Sequence, residues 1–285
     1  MEKSVQTGQP KESVFKNQFI PIILTVVVCA VLIGVLWLEI HLLNLFTEVD
    51  VVLHVRWYDV LIGATIYIKT AIDFAIYIGN LMEKNRTWQS RIAIEIGTAL
   101  GNALGTMGIL LVWIFFKEVE WLLGIMIFIA ALVLFKLAED GLQHAKREDD
   151  KEPRGFQKVV NTLERFLSKF NKVTSPILRY IVPSFGMSKG EGLKFWPLAV
   201  LSFSVPFLLG LDDFAGYVPL FTIVNVFGFS IGVFVSHMIL NMMLYLSPRH
   251  TIAIVKNAYI SFAGSIFFVG LGLWGIVEVV RIILH

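Results

Sequence analysis

The stretch Gly210-Leu211-Asp212-Asp213-Phe214-Ala215-Gly216-Tyr217 places two adjacent carboxylates inside an apolar run that is bounded by Pro206 and Pro219. An ionised group at membrane depth costs about 2.5 kcal/mol or more, so it needs a partner, a water-filled cavity or a function. The stretch Ile72-Asp73-Phe74-Ala75-Ile76-Tyr77 has the same pattern, Asp-Phe-Ala-x-Tyr, 140 residues earlier. The two stretches together predict two copies of one membrane unit that face each other across a pair of acidic sites.

The composition supports a membrane location. Of the 285 residues, 56% are hydrophobic and 16% are charged, and the mean hydropathy is +0.73. A soluble domain usually carries about 25% charged residues. The single cysteine, Cys29, excludes an intramolecular disulfide and a cysteine-rich metal site. No cleavable signal peptide is expected, because about 18 polar residues precede a first apolar run that is too long for one.

The distribution of apolar runs predicts an all-α membrane protein with seven transmembrane helices. The predicted spans are 19–46, 57–82, 91–116, 121–138, 195–222, 227–246 and 252–280. Residues 1–18 form a polar tail that we expect to be disordered and cytoplasmic. Residues 139–194 form a cytoplasmic linker between the fourth and fifth spans.

The linker contains apolar residues at helical spacing, from Phe156 to Val173, with basic residues between them. This pattern is typical of an amphipathic helix that lies on the membrane surface. A soluble helix that packs against the bundle is the alternative interpretation.

The placement of Lys and Arg predicts the orientation. With seven spans, the N-terminus, the 83–91 loop, the linker and the 247–256 loop share one side and hold most of the cations. Basic residues favour the cytoplasmic face. We therefore expect a multi-pass plasma (inner) membrane protein with a cytoplasmic N-terminus and a C-terminus outside.

An internal repeat relates residues 57–138 to residues 195–282. At offsets of 139 or 140 residues, the matched pairs are Trp57 and Trp196, Asp73 and Asp213, Tyr77 and Tyr217, Thr98 and His237, and Asn102 and Asn241. Each copy has three spans, so the second copy must enter the membrane from the opposite face. Such an inverted repeat is typical of secondary transporters, with the substrate site at the repeat interface. The span 19–46 is an extra helix outside the repeat.

The three carboxylates Asp73, Asp212 and Asp213 are the candidate ion-binding residues. Asp73 and Asp213 lie about 16 to 18 residues into their predicted spans. Carboxylates suit a divalent cation, so these three are also the candidate metal ligands. Structural hydrogen bonds between helices are the alternative. Two neighbouring carboxylates raise each other's pKa, so Asp212 or Asp213 is a candidate for carrying a coupling proton.

Four other polar residues complete the candidate site. Asn102 and Asn241 could supply carbonyl ligands or bridge helices. His237 is a candidate ligand or proton shuttle, with a buried neutral histidine as the alternative. Lys69 precedes Asp73 by four residues, so it either forms an ion pair with Asp73 or replaces a bound cation when the site is empty.

Two local features carry further expectations. Glu95 is expected near the cytoplasmic interface, with its carboxylate reaching the headgroups. Pro206, Gly210, Gly216 and Pro219 flank the acidic pair and predict a broken or kinked fifth span.

The run Thr70-Ala71-Ile72-Asp73-Phe74, the short basic loop after it and the run from Arg91 to Leu100 resemble the first half of the LysE-type transporter superfamily, closest to its cadmium-resistance and TerC-like branches. Leu211-Asp212-Asp213 resembles the same motif in the second half. The resemblance covers the two repeats. It implies a 3+3 transporter that exports metal cations or small cationic solutes, with Asp73, Asp212 and Asp213 as the ion-binding residues.

The sequence therefore predicts a secondary exporter of a divalent metal cation, and not an enzyme. We find no nucleotide-binding loop, so an ion gradient is the expected drive. No permanently bound cofactor and no nucleic-acid partner are expected. The expected partners are the lipid bilayer and the small cation. The sequence is also compatible with a homo-oligomer. The alternatives are an exporter of amino acids or organic cations, an intramembrane enzyme with an Asp73–Asp213 dyad, and a membrane scaffold that works through the linker.

Overall fold

The computed structural model describes residues 14–47, 50–85, 87–117, 119–147, 153–181, 193–221 and 224–284. The description leaves out the side chains of residues 14–21, 73, 115, 116, 120, 147, 175–181, 208–216 and 219. All regular secondary structure in these ranges is helical. The helices are α1 (Val14–Leu43), α2 (Trp57–Thr70), α3 (Ile72–Lys84), α4 (Trp88–Lys117), α5 (Glu120–Arg147), α6 (Arg154–Ile181), α7 (Phe195–Tyr217), α8 (Val226–Leu246), α9 (Pro248–Val255) and α10 (Ala258–Leu284). A short 3-10 helix, Val218–Leu220, follows α7.

Five of these helices are long and apolar enough to cross a membrane, and α2 with α3 would make a sixth as one bent span. This confirms an all-α membrane protein in the part of the chain that the structure describes. The count of seven spans stays a prediction. Parts of the predicted tail and linker lie outside the described residues: residues 1–13 of the tail, and residues 148–152 and 182–192 of the linker.

The predicted second span is broken. α2 ends at Thr70, α3 begins at Ile72, and the two axes differ by 66°. By contrast, α7 continues as a helix through Pro206 to Tyr217. The break therefore lies in the first half of the chain, at a position without proline or glycine. The fifth span is not broken around Pro206, while a kink there stays a prediction.

Other boundaries also differ from the predicted spans. α1 begins at Val14, so residues 14–18, which were predicted to be a disordered tail, are helical. α5 continues nine residues past the predicted end at residue 138, through polar residues to Arg147. The last span begins at Ala258, because the residues before it form the separate short helix α9.

Three helix pairs form the core of the bundle: α4 with α7, α5 with α10, and α2 with α8. The first pair is parallel, since Gly97 lies beside Ala199 and Gly101 beside Phe203. Small residues let the two backbones approach closely at this interface. A Cβ atom added at Gly101 would lie 2.8 Å from Cγ of Pro206, closer than ordinary contact at 3.4 Å.

The other two pairs use glycine in the same way but differ in direction. α2 and α8 are parallel, because Ala64 lies beside Gly232 and Tyr67 meets His237 farther along both helices. α5 and α10 are antiparallel, because Phe135 meets Gly272 while Gly141 meets Ser265. α1 packs against α8 and α4, and α6 packs against α5.

Candidate functional site

A chain of buried polar groups joins α2, α4 and α8. The Tyr67 hydroxyl lies 2.5 Å from Nδ1 of His237, and Nδ2 of Asn241 lies 3.0 Å from the other ring nitrogen, Nε2. The same Asn241 amide donates to the Thr98 hydroxyl at 2.9 Å, and Thr98 donates to the backbone carbonyl of Glu95 at 3.0 Å. His237 is fully buried, and the other side chains of this polar chain are at most 3% exposed.

The donors and acceptors assign a tautomer to His237. The Asn241 amide nitrogen can only donate, so Nε2 accepts and the proton of the neutral ring lies on Nδ1. Nδ1 then donates to the Tyr67 oxygen. A neutral imidazole fits a site from which water is excluded, because burial disfavours charge. The arrangement supports the interpretation of His237 as a buried neutral histidine in this conformation.

Two features link the polar chain to the predicted acidic site. The ring of Phe74, the residue after Asp73, packs against His237 with 5.2 Å between ring centroids. The Oδ1 atom of Asn241 is buried and has no hydrogen-bond partner. A buried carbonyl oxygen without a donor is an available ligand for a cation or a polar solute. Asn102, which is also buried, lies one helical turn beyond Thr98 on α4.

The ion-binding prediction for Asp73, Asp212 and Asp213 falls on side chains outside the described part of the chain. Their backbones belong to α3 and α7, and these two helices are in contact. Among the described side chains, no group of three His, Cys, Asp or Glu residues could hold a metal ion.

Lys69 lies apart from the His237 chain. Its amine donates to the backbone carbonyl of Ile260, and its aliphatic part packs on Gly264 of α10. It lines a small cavity of about 70 Å³ together with Asp140 and His144. The break at Ala71 separates Lys69 from Asp73, so the two residues do not share one continuous helix as the predicted ion pair assumed.

Glu95 is more deeply enclosed than the sequence predicted. The side chain is only 3% exposed, and its Oε1 accepts a hydrogen bond from Thr25 of α1. Its second oxygen, Oε2, is buried without a partner. This bond attaches the extra first helix to the middle of the bundle.

Two larger cavities lie at opposite ends of α4 and α8. The Trp113 cavity, of about 490 Å³, lies at the end of α4 and the start of α8, where Trp113, Lys117, Phe221 and Asn225 line it. The Arg249 cavity, of about 350 Å³, lies at the start of α4 and the end of α8, where Glu83, Arg91, Arg249 and His250 line it. Arg91 and Trp113 are separated by roughly 33 Å along α4, at 1.5 Å per residue. This distance is close to the thickness of the bilayer core.

The structure adds functional candidates that the sequence analysis missed. Tyr67 bonds to a residue 170 positions away, so no local pattern marks it. Asp59 is completely buried and binds Arg56 at 2.7 Å, beside the Trp113 cavity. This hydrogen bond raises the pKa of the Arg56 guanidinium above its ordinary value. An acidic residue in the first turn of α2 also suits the positive end of the helix dipole.

In comparisons with known proteins, the chain matches no family model, no curated protein and no solved structure. The resemblance to the LysE-type superfamily therefore stays a prediction that rests on the short motifs alone.

Proposed function

We propose that this protein is a secondary transporter in which two inverted three-helix halves enclose the substrate path. The observation that carries the proposal is the reciprocal pairing of helices between the halves. In the repeat, α2 with α3 corresponds to α7, α4 to α8, and α5 to α10. If each helix is replaced by its counterpart in the other half, the α2–α8 pair becomes the α7–α4 pair. The helices are parallel in both pairs. The exchange also returns the antiparallel α5–α10 pair to itself, as a twofold relation requires.

The two large cavities support the same relation. The Trp113 cavity is lined by the end of α4, the segment between α7 and α8, and the residues from Asp50 to Arg56 before α2. The Arg249 cavity is lined by the end of α8, the start of α9, Glu83 of α3 and Arg91 of α4. The ends of α4 and α8 exchange under the repeat, and the cavities lie at opposite ends of these two helices. Alternating access needs such a pair of entrances on the two membrane faces.

The proposed substrate is a divalent metal cation that the protein exports. Asp73, Asp212 and Asp213 would bind it, and Asn102, Asn241 and His237 would contribute neutral polar groups. The unpartnered Oδ1 of Asn241 supports this role. The proposal retains seven spans, a cytoplasmic N-terminus and an external C-terminus in the plasma membrane. An ion gradient, with a proton as the coupling ion, would drive export.

The test is the thermal stability of the purified protein in detergent with Mn²⁺, Ca²⁺, Cd²⁺, Zn²⁺ or Mg²⁺. A cation that binds the folded state raises its stability by RT ln(1 + [L]/Kd). We expect one cation to stabilise the protein and Asp213→Asn to abolish the shift. Glu278→Gln, which removes a carboxylate near the end of α10, is the charge-matched control and should keep it. No shift with any of the five cations would refute the metal substrate.

The Trp113 cavity favours a second candidate, an exporter of amino acids or small organic cations. Its volume of about 490 Å³ is far larger than a metal ion requires, and Trp113 and Phe221 supply aromatic walls. Sites for small organic molecules are typically about 300–1,000 Å³ and lined by aromatic residues. Stabilisation by lysine or arginine but by no metal, lost in Trp113→Ala, would select this function over metal export.

A further inference from the structure

The linker helix α6 is attached to the bundle along one edge of its apolar face. Asn171 donates to the Glu139 carboxylate at 2.8 Å and to the carbonyl of Phe135 at 3.1 Å. The ring of Phe156 packs between Tyr259 and Phe262 of α10. α6 therefore crosses the end of α5 and the start of α10, the ends that meet at one face of the bundle.

A second part of the apolar face is exposed. We call it the outer stripe; its residues are Val159, Phe166, Phe170 and Val173, of which Phe170 also meets the ring of Phe135 of α5 with 5.2 Å between centroids. Phe166 is 69% exposed and Val173 is 80% exposed. At 100° per residue, the four positions fall within an arc of about 60° on the helix. An aligned set of exposed aromatic and aliphatic side chains marks an interaction surface, unlike single exposed residues.

A row of cations runs beside the outer stripe. We call it the basic row; its residues are Lys158, Arg165, Lys169 and Lys172, which are all exposed. They occupy the adjacent arc of the helix, also about 60° wide. None of the four has an ion-pair partner among the residues that the structure describes. The acidic residue of α6, Glu164, instead faces Lys146 of α5 at 3.7 Å.

We propose that the outer stripe and the basic row dock on the bilayer surface and bind anionic phospholipid headgroups. The neighbouring helix identifies the occupant. α6 is fixed to α5, a candidate membrane span, through the segment from Phe135 to Lys146 near the end of that span. This attachment places the stripe next to the lipid that surrounds α5. Apolar side chains can enter the boundary between headgroups and acyl chains, while adjacent cations meet the phosphates.

The test compares hydrogen exchange of α6 amides in full-length protein held in two kinds of nanodisc. One contains phosphatidylcholine only, and the other contains phosphatidylcholine with phosphatidylglycerol. Each cation near an anionic surface is expected to favour docking by roughly fivefold. We therefore expect slower exchange of α6 in the anionic discs, and loss of most of this difference in the double variant Arg165→Gln/Lys169→Gln. High salt should also reduce the difference, because it screens exposed charges.

The matched control is Lys194→Gln/Lys256→Gln, which removes the same charge from two loops outside α6 and should leave the effect intact. Equal exchange of α6 in both kinds of disc would overturn the proposal and leave a neutral bilayer or a protein partner as the occupant. An effect that both double variants reduce equally would also overturn it, because net charge and not the basic row would then be responsible. These outcomes are independent of whether the protein transports a metal.

Discussion

Close packing of α4 on α7 leads to a sharp prediction for Gly101→Ala. The new Cβ atom would overlap the carbonyl oxygen of Phe203 and lie 2.8 Å from Cγ of Pro206. Contact with the proline ring alone would require a shift of about 0.6 Å to reach the ordinary 3.4 Å. Neither atom can rotate away, so the helices must separate. Overpacking of this kind costs about 1–3 kcal/mol, against which alanine gains about 1 kcal/mol in helix propensity.

Gly108→Ala is the matched control on the same helix, because nothing lies within 4 Å of the added Cβ atom. This variant should gain the higher helix propensity of alanine without a steric clash. Gly101→Ala should therefore be less stable than Gly108→Ala by about 1–3 kcal/mol. The measurement is unfolding in mixed micelles of dodecyl maltoside and SDS, followed by circular dichroism. Equal stability of the two variants would refute close packing of α4 on α7, and with it the helix pairing that supports the proposed function.

Two further predictions concern hydrogen bonds. Tyr67→Phe should lower the free energy of unfolding by about 1 kcal/mol, because Nδ1 of His237 loses its hydrogen-bond partner; an unchanged value in the same assay would contradict this hydrogen bond. Asn171→Leu should weaken the attachment of α6 by about 1–3 kcal/mol, since one of the lost bonds ends on the Glu139 carboxylate. Trypsin should then cleave α6 faster than in Thr162→Ala, which loses only a bond within α6; equal rates would contradict this attachment.

Helix positions were predictable where apolar runs have clear ends. α4 and α8 lie within three residues of the predicted 91–116 and 227–246 at each end. The break at Ala71 was not predictable, because neither proline nor glycine occupies that position. Contacts distant in sequence hold the end of α2, where Tyr67 binds His237 and Lys69 binds Ile260. The extension of α5 has a similar origin, since its polar last turns pack against α6.

The predicted repeat pointed to part of the candidate site. Matching Thr98 with His237 and Asn102 with Asn241 pointed to four buried positions, and the structure joins three of them in one hydrogen-bonded chain. The spacing of residues in the sequence does not show, however, which neighbouring helix a side chain faces. The sequence pattern therefore places Lys69 with the acidic site, although the side chain faces α10, and it does not mark Tyr67, which faces His237.

The break at Ala71 makes the two halves of the chain unequal at the positions that the predicted repeat matches. Asp73 lies in the first turn of α3, directly after the break, whereas α7 runs through Asp213 as a continuous helix. Lys69 has no counterpart in the second half, where Leu208 or Leu209 occupies the matching position. If the halves are inverted copies, a conformation with one broken and one continuous helix is asymmetric about the membrane midplane. A transporter that opens to one membrane face at a time requires such asymmetry. If the two halves exchanged their conformations, the protein would open to the opposite face.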